Sequence, residues 1–306
     1  MKTVIGLTEH IGRADPRSAR VPRTRSSLGS RSKPEQAGQA ADRGPAVGTK
    51  CHWVFLLALA SLSLHAQTAP EPKTSPSHRA LIDELVIANR ILSNEGVLDA
   101  YGHVSVRDTQ NPEHFFLARH MAAGLVTAKD IIEYDLDSNP IVKSETAGYT
   151  ERFIHSEIYR ARPDVLAVVH THAPDLVTFS ASSVPLLPIY HMAAFLGEGV
   201  AKFEIRDAGG VTDMLIRDAS LGRALAKTLA DKPTVLLRGH GAAVVAPSLH
   251  VVVGRAYYMN MNARLQREAL LLGGQVTYLE TEEARKAAPQ DGYERAWAYW
   301  KQRAGK

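Results

Sequence analysis

Three features are scarce in this sequence, and each absence excludes a class of protein. The 306 residues include one cysteine, Cys51, so an intramolecular disulfide is excluded. No apolar run reaches the ~20 residues that span a bilayer comfortably. Nothing suggests an internal repeat, so the length fits one domain with a single sizeable core rather than a repeat architecture.

A basic surface for nucleic acid is also missing, although the formal net charge is +4. Residues 1–50 carry ten Lys and Arg against four Asp and Glu, so the rest of the chain has a net charge of −2. The positive excess therefore belongs to the first segment. Since the remaining chain offers no basic stripe, we expect no nucleic-acid partner.

The first 77 residues are predicted to precede the folded domain. Residues 1–50 are rich in Arg, Ser, Gly, Pro and Gln and lack apolar periodicity, which predicts a disordered basic leader. Residues 51–66 follow Lys50 with an apolar run of signal-peptide length, which predicts a secretory signal cleaved near Ala66. Residues 67–77 are a linker rich in Pro, Ser and Thr.

The position of this signal leaves two interpretations open, because a signal normally begins a chain. A true start near Val47 would make the leader a translation artefact; alternatively, the apolar run is a membrane anchor. The first interpretation predicts a periplasmic or secreted protein with no stable membrane association after cleavage. Without a working signal, the protein is expected in the cytoplasm.

Residues 151–175, ERFIHSEIYRARPDVLAVVHTHAPD, organise the rest of the chain. Residues 165–169 are apolar and largely β-branched, which predicts a buried strand ending near His170 and His172. Because residues i and i+2 of a strand share a face, both imidazoles are expected to point the same way. Upstream, Thr150 is predicted to cap a helix over 151–162, which places Glu151 at the helix start, beside the same pocket.

A third histidine, His240, occurs in a similar setting. Residues 234–237 predict another short strand, and glycines on both sides of His240 let the backbone approach a neighbour closely. Three histidines can hold a borderline divalent cation such as zinc and leave a position open for water or substrate. From the residues alone, the alternative is that these histidines form ordinary hydrogen bonds at a sheet edge and bind no metal.

The order of Glu151, the H-T-H sequence at 170–172 and the G-H-G sequence at 239–241, with GHVSVR at 102–107, resembles the class II aldolase/adducin family. The resemblance covers about residues 77–283. It implies a three-layer α/β/α domain with a central, mostly antiparallel sheet over residues 78–306, and a cyclic homotetramer. It also implies Zn²⁺, with Mn²⁺ or Fe²⁺ as alternatives, on His170, His172 and His240, and acid/base catalysis by Glu151.

Three substrate loops depart from the sugar-phosphate members of that family. The first loop contains Ser105 and His103, and those members usually carry Asn at the position of His103. The second loop contains Arg119 and His120 in place of small hydroxyl residues and glycines. In the third, Tyr149 occupies a Ser position before the glutamate. Phosphate cradles need backbone donors and small hydroxyls. We therefore predict that these five residues bind a carboxylate on a flat ring, because arginine pairs with carboxylates and aromatic neighbours favour rings.

These inferences predict a divalent-metal-dependent carbon–carbon lyase acting on a small hydroxy or keto carbonyl or carboxylate substrate. Retro-aldol cleavage and decarboxylation fit equally, since both place negative charge beside the metal and need a proton carrier. A non-catalytic scaffold, like the adducin head, is an alternative that the intact histidines and Glu151 disfavour. A mononuclear iron oxygenase is another, because three histidines do not distinguish zinc from iron.

Overall fold

A computed structural model describes residues 76–143, 146–287, 289 and 292–305. They belong to one compact unit, Ala69–Lys306. The predicted leader and signal, and nearly all of the predicted linker, lie outside the described residues. None of the helices in the described ranges is both long enough and apolar enough to span a membrane.

Seven strands form one sheet in the described part of the chain. The strands are β1 His103–Arg107, β2 His114–Ala118, β3 Ile131–Asp135, β4 Ala167–Thr171, β5 Ala201–Phe203, β6 Thr234–Leu237 and β7 Gly241–Ala246. Their order across the sheet is β3-β2-β1-β4-β7-β6-β5, and every pair is antiparallel except β5 and β6. The site described below lies where β1, β4 and β7 adjoin.

Helices cover both faces of this sheet. The α-helices are α1 Pro76–Asn94, α2 Arg152–Ala161, α3 Pro174–Ala181, α4 Ile205–Gly209, α5 Ala219–Leu229, α6 Leu249–Leu271, α7 Thr281–Ala287 and α8 Glu294–Ala304. Short 3₁₀ segments lie at Ala123–Leu125, Ala128–Asp130 and His191–Glu198. Helices α1, α3, α6 and α8 pack on one face, and α2 and α5 on the other. The predicted three-layer α/β/α fold with a mostly antiparallel sheet is confirmed.

Alternation along the strands separates two apolar cores. In β4, Val169 belongs to the core beneath α1 and α6, whereas Val168 belongs to the core beneath α2 and α5. Since His170 is two residues after Val168, its side chain faces α2. The side chains of Trp297 and Trp300 are buried in the first core, so the C-terminal helix caps its own domain.

Two predicted boundaries differ from the structure near Glu151. Helix α2 begins at Arg152, and Glu151 rather than the exposed Thr150 holds the N-cap position. Strand β4 begins two residues later than predicted, because the N–H of Val165 donates to the carbonyl of Arg162 in the turn that ends α2. His170 therefore lies within the strand, and His172 just beyond it.

Candidate active site

Four side chains from three separate elements converge at one end of the sheet. The Nε2 atom of His172 lies 3.0 Å from Nε2 of His170 and 3.1 Å from Nε2 of His240. Oε2 of Glu151 lies 3.6 Å from Nε2 of His170 and 3.4 Å from Nε2 of His240. One ligand atom from each residue falls within 4.8 Å of all the others, so the group could hold a metal ion.

The turn between β6 and β7 brings His240 to this cluster. Gly241 has a φ of +152°, and a Cβ there would lie 2.0 Å from the carbonyl oxygen of Thr171. Only glycine allows so close an approach between this turn and the end of β4. The approach places His240 opposite His172, at the distance given above.

Acceptors behind the three imidazoles fix which ring nitrogen carries hydrogen. The Nδ1 atoms of His170 and His240 lie 3.2 Å and 3.1 Å from the carbonyl oxygens of Ala242 and Met214. Nδ1 of His172 lies 3.2 Å from a carboxylate oxygen of Asp99. Carbonyl and carboxylate oxygens accept hydrogen bonds, so each Nδ1 donates, and each neutral ring keeps a lone pair on Nε2.

This arrangement fits a divalent metal ion. Three lone pairs that face one another at 3.0 and 3.1 Å repel unless a cation lies among them. Nitrogen ligands of a tetrahedral zinc ion, with bonds of ~2.0–2.1 Å, lie roughly 3.3 Å apart. Hydrogen bonds from Nδ1 to oxygen acceptors are also usual for metal-binding histidines. The donor set does not distinguish zinc from iron or manganese.

Glu151 is held as a carboxylate. Its Oε1 atom accepts a hydrogen bond from the N–H of Ile216 at 2.9 Å, which leaves Oε2 directed at the histidines. Burial raises the pKa of this carboxyl, but hydrogen bonds and charge interactions with protonated His170 and His240 rings outweigh burial in the metal-free chain and hold the pKa well below its usual range. Glu151 is therefore ionised at neutral pH and able to accept a proton.

The pKa values of His172 and His240 are shifted in opposite directions. Burial lowers the pKa of His172 to about 4. Burial also acts to lower the pKa of His240, but in the metal-free chain the protonated ring donates to Glu151, which outweighs burial and raises that pKa. His172 is consequently neutral at neutral pH and available as a ligand.

A wall of rings continues from the cluster. The His103 ring lies 5.2 Å from that of His170 and 4.3 Å from that of Tyr149, and the exposed His120 lies 5.5 Å from Tyr149, centroid to centroid. The Tyr149 hydroxyl donates to the carbonyl of Met121, and burial raises its pKa to about 12. The structure thus brings three of the five predicted substrate residues together beside the histidine cluster.

The other two predicted substrate residues, Arg119 and Ser105, interact with other side chains of the protein. Nε of Arg119 donates to Asp130 at 2.7 Å, so part of its charge is neutralised by an ion pair. The hydroxyl of Ser105 is fully buried and lies 2.6 Å from Nδ1 of His155 and 2.7 Å from the hydroxyl of Tyr159. Ser105 therefore lies behind the ring wall rather than on its surface.

Sequence reasoning missed His155 and Asp99. His155 is fully buried, its Nε2 lies 2.7 Å from Nδ1 of His103, and burial lowers its pKa to about 3. Its position four residues after Glu151 on a predicted helix was an available signal, because residues i and i+4 share a helix face. Asp99 also accepts hydrogen bonds from the N–H groups of Tyr101 and Gly102, as an acidic residue in a tight turn often does.

The fold and the site together define the class of protein. The family model "Class II Aldolase and Adducin N-terminal domain" matches residues 83–267. The chain belongs to the class II aldolase and adducin family, which confirms the predicted resemblance.

The names of individual relatives indicate which reactions occur in this family. The chain is 36% identical over 235 residues to "Decarboxylase tropJ" of Talaromyces stipitatus, covering 69% of this chain and 88% of that protein. It is 32% identical over 209 residues to the "3,4-dihydroxyphthalate decarboxylase" of Arthrobacter keyseri, covering 65% and 82%. A solved L-fuculose 1-phosphate aldolase from Glaciozyma antarctica superposes with a TM-score of 0.60 at 25% identity, covering 78% and 93%. Decarboxylase and aldolase relatives support a lyase.

Proposed function

We propose that this chain is a metal-dependent decarboxylase of a hydroxylated aromatic carboxylic acid. The observation that carries the proposal is the ring wall of His103, Tyr149 and His120 beside the histidine cluster. Flat, partly aromatic surfaces suit an aromatic ring, whereas phosphate needs convergent backbone donors and small hydroxyls. The two decarboxylase relatives at 36% and 32% identity support the same choice over aldol cleavage.

His170, His172 and His240 would hold the metal. Zinc is the ion we propose, since three imidazoles with an open position are usual for catalytic zinc. When bound, it would supply Lewis-acid stabilisation to substrate oxygens that gain negative charge. The adjacent hydroxyl and carboxylate groups of such an acid offer oxygens at suitable spacing.

Glu151 would accept one proton from the substrate and then donate it back. As a carboxylate it accepts the proton of the substrate hydroxyl, which increases electron density in the ring. It then donates that proton to the ring carbon that bears the carboxylate. The bond from this carbon to the carboxylate breaks, carbon dioxide leaves, and the bonding electron pair restores the aromatic ring and a phenolate oxygen. Glu151 ends as a carboxylate, ready for another cycle.

The test is Glu151→Gln in the purified chain, assayed for carbon dioxide release from 3,4-dihydroxyphthalate and other ortho-hydroxy aromatic acids. The amide cannot carry the proton, so we expect kcat to fall roughly 10²- to 10⁴-fold. The metal content should persist, because the three imidazoles remain. Glu113→Gln, at an exposed position, is the matched control and should retain full activity.

Other outcomes would redirect the proposal. Aldehyde release from sugar phosphates, with no carbon dioxide from aromatic acids, would establish an aldolase. Metal binding without either activity would favour the adducin-like scaffold. Bound iron with oxygen consumption would favour an oxygenase. The signal segment, a periplasmic or secreted location and the homotetramer stay predictions.

A further inference from the structure

A row of four polar side chains extends from the ring wall into the core between β1 and α2. Nδ1 of His103 lies 2.7 Å from Nε2 of His155; Nδ1 of His155 lies 2.6 Å from the hydroxyl of Ser105; that hydroxyl lies 2.7 Å from the hydroxyl of Tyr159. All four residues are at most 1% exposed. Neither the histidine cluster nor the proton transfer by Glu151 uses His155, Ser105 or Tyr159.

Each member of the row has one hydrogen to donate when both rings are neutral, so the three hydrogen bonds run in one of two directions. If they run outward from the core, Tyr159 donates to Ser105, Ser105 to His155, and His155 to His103. If they run inward, every bond reverses, and the Tyr159 hydroxyl must donate to some other acceptor.

Burial of Tyr159 decides between the two directions. Among the described residues, Ser105 is the only side chain within hydrogen-bond distance of its hydroxyl. The backbone N–H of Val168 interacts with the same oxygen, which requires an oxygen lone pair. The inward direction would therefore bury a hydroxyl donor without an acceptor, which proteins rarely tolerate. The outward direction satisfies the donors of Tyr159, Ser105 and His155, and leaves the Nε2 N–H of His103, at the ring wall, as the one donor of the row without an acceptor among the described residues.

We propose that His155, Ser105 and Tyr159 form a positioning relay that holds His103 as the tautomer with hydrogen on Nε2. In this tautomer, Nδ1 of His103 accepts from His155. Nε2 has no partner among the described residues and is left as an N–H donor for a ligand beside His170. A ring whose donor is fixed before binding loses little freedom when it meets an acceptor.

The relay gives His103 a defined role that rests on the proposed function. An N–H donor suits the carboxylate or the developing phenolate of a hydroxylated aromatic acid, whereas a bare ring nitrogen would repel both. His155, Ser105 and Tyr159 touch no substrate in this account. They act through His103.

The direct test is ¹⁵N NMR of the full-length protein labelled at histidine, which distinguishes protonated from unprotonated ring nitrogens without any substrate. His103→Asn assigns the His103 signals by their loss. We expect Nε2 of His103 to appear protonated and Nδ1 unprotonated at pH 7.5. The opposite pattern would show that the row runs inward and would overturn the proposal.

Two variants of His155 sharpen this test. The amide nitrogen of Gln reaches the position of the histidine Nε2 and can donate to His103, whereas Leu cannot. His155→Gln should therefore keep the wild-type tautomer of His103, and His155→Leu should give a mixture. If His155→Leu does not fold, Ser105→Ala takes its place, because it removes the donor that orients His155. Wild-type signals in the Leu or Ala variant would overturn the proposal.

Kinetics with 3,4-dihydroxyphthalate separate positioning from a merely structural role. We expect His155→Leu to lower kcat/KM roughly 10-fold, equivalent to one hydrogen bond to a charged oxygen, and His155→Gln to restore most of it. Metal content should be equal in both variants. If no aromatic acid is turned over, the proposed function fails, while the NMR result still decides the direction of the relay.

Discussion

Two groups of histidines lie side by side in this protein, and similar distances between ring nitrogens serve opposite purposes in them. His172 contacts His170 and His240 at 3.0 and 3.1 Å, and His103 contacts His155 at 2.7 Å. In the first group, oxygen acceptors occupy every Nδ1, so the lone pairs converge and could hold a cation. In the second group, the hydroxyl of Ser105 lies behind His155, so a donor can meet an acceptor and no cation is required.

The comparison shows that the partner on the far side of an imidazole decides its chemistry. A carbonyl or carboxylate oxygen behind a ring leaves a lone pair on the other nitrogen that can bind a metal ion, and a hydroxyl permits a relay. Neither the residue type nor the distance between the rings distinguishes the two groups. The predictions below test this distinction, in order of decreasing effect.

Replacing His172 with Ala should abolish stable metal binding. One of three imidazole ligands is lost. The two remaining histidines, with the Glu151 carboxylate beside them, would hold a divalent ion far more weakly. We expect the metal content after dialysis to fall from about one ion per chain to below roughly 0.1, measured by elemental mass spectrometry. His155→Gln is the matched control and should keep its metal. Equal metal content in the two variants would remove the distinction between the groups.

The pH dependence of stability should carry a contribution from His155. Its pKa in the folded chain is lowered to about 3 by burial, against an ordinary value of about 6.5. Below pH 6.5 the unfolded chain therefore binds a proton that the folded chain does not, and the free energy of unfolding decreases as the pH falls towards 3.

Urea unfolding of metal-free protein at pH 7 and pH 5 measures this contribution. Wild type should lose roughly 2 kcal/mol more than His155→Gln over that interval, because the variant has no group to protonate there. Metal-free protein is necessary, since acid also releases a metal ion from its histidines. Parallel losses in the two proteins would show that His155 is not buried as a neutral ring.

The smallest effect is expected from Asp99→Asn. The substitution keeps an oxygen for the N–H groups of Tyr101 and Gly102 but removes the negative charge behind His172. Loss of such an outer carboxylate typically weakens metal affinity 10- to 100-fold, and we expect about 10-fold because Asp99 is half exposed. Competition with a chromophoric chelator measures the affinity. A loss as large as that of His172→Ala would indicate that Asp99 is itself a ligand.

Much of the fold could be predicted because the local patterns agree with the tertiary structure. The short apolar run predicted both bounds of β6, and the helix predicted over 151–162 matches α2 within one residue at each end. The start of β4 was missed because a turn that depends on a backbone hydrogen bond, not on side-chain polarity, includes the first two residues of the predicted strand. The first 75 residues lie outside the described part of the chain, so their predicted roles stay untested.

The sequence by itself determined which residues are able to form the site. Strand ends, a helix start and a glycine-flanked turn marked Glu151, His170, His172 and His240, because backbone geometry follows from local residue types. Tertiary structure alone decided the role of each neighbour. Ser105 is turned inward by His155, 50 residues away, and Arg119 is paired with Asp130. Which nitrogen carries a hydrogen depends on such distant partners, and no local pattern records them.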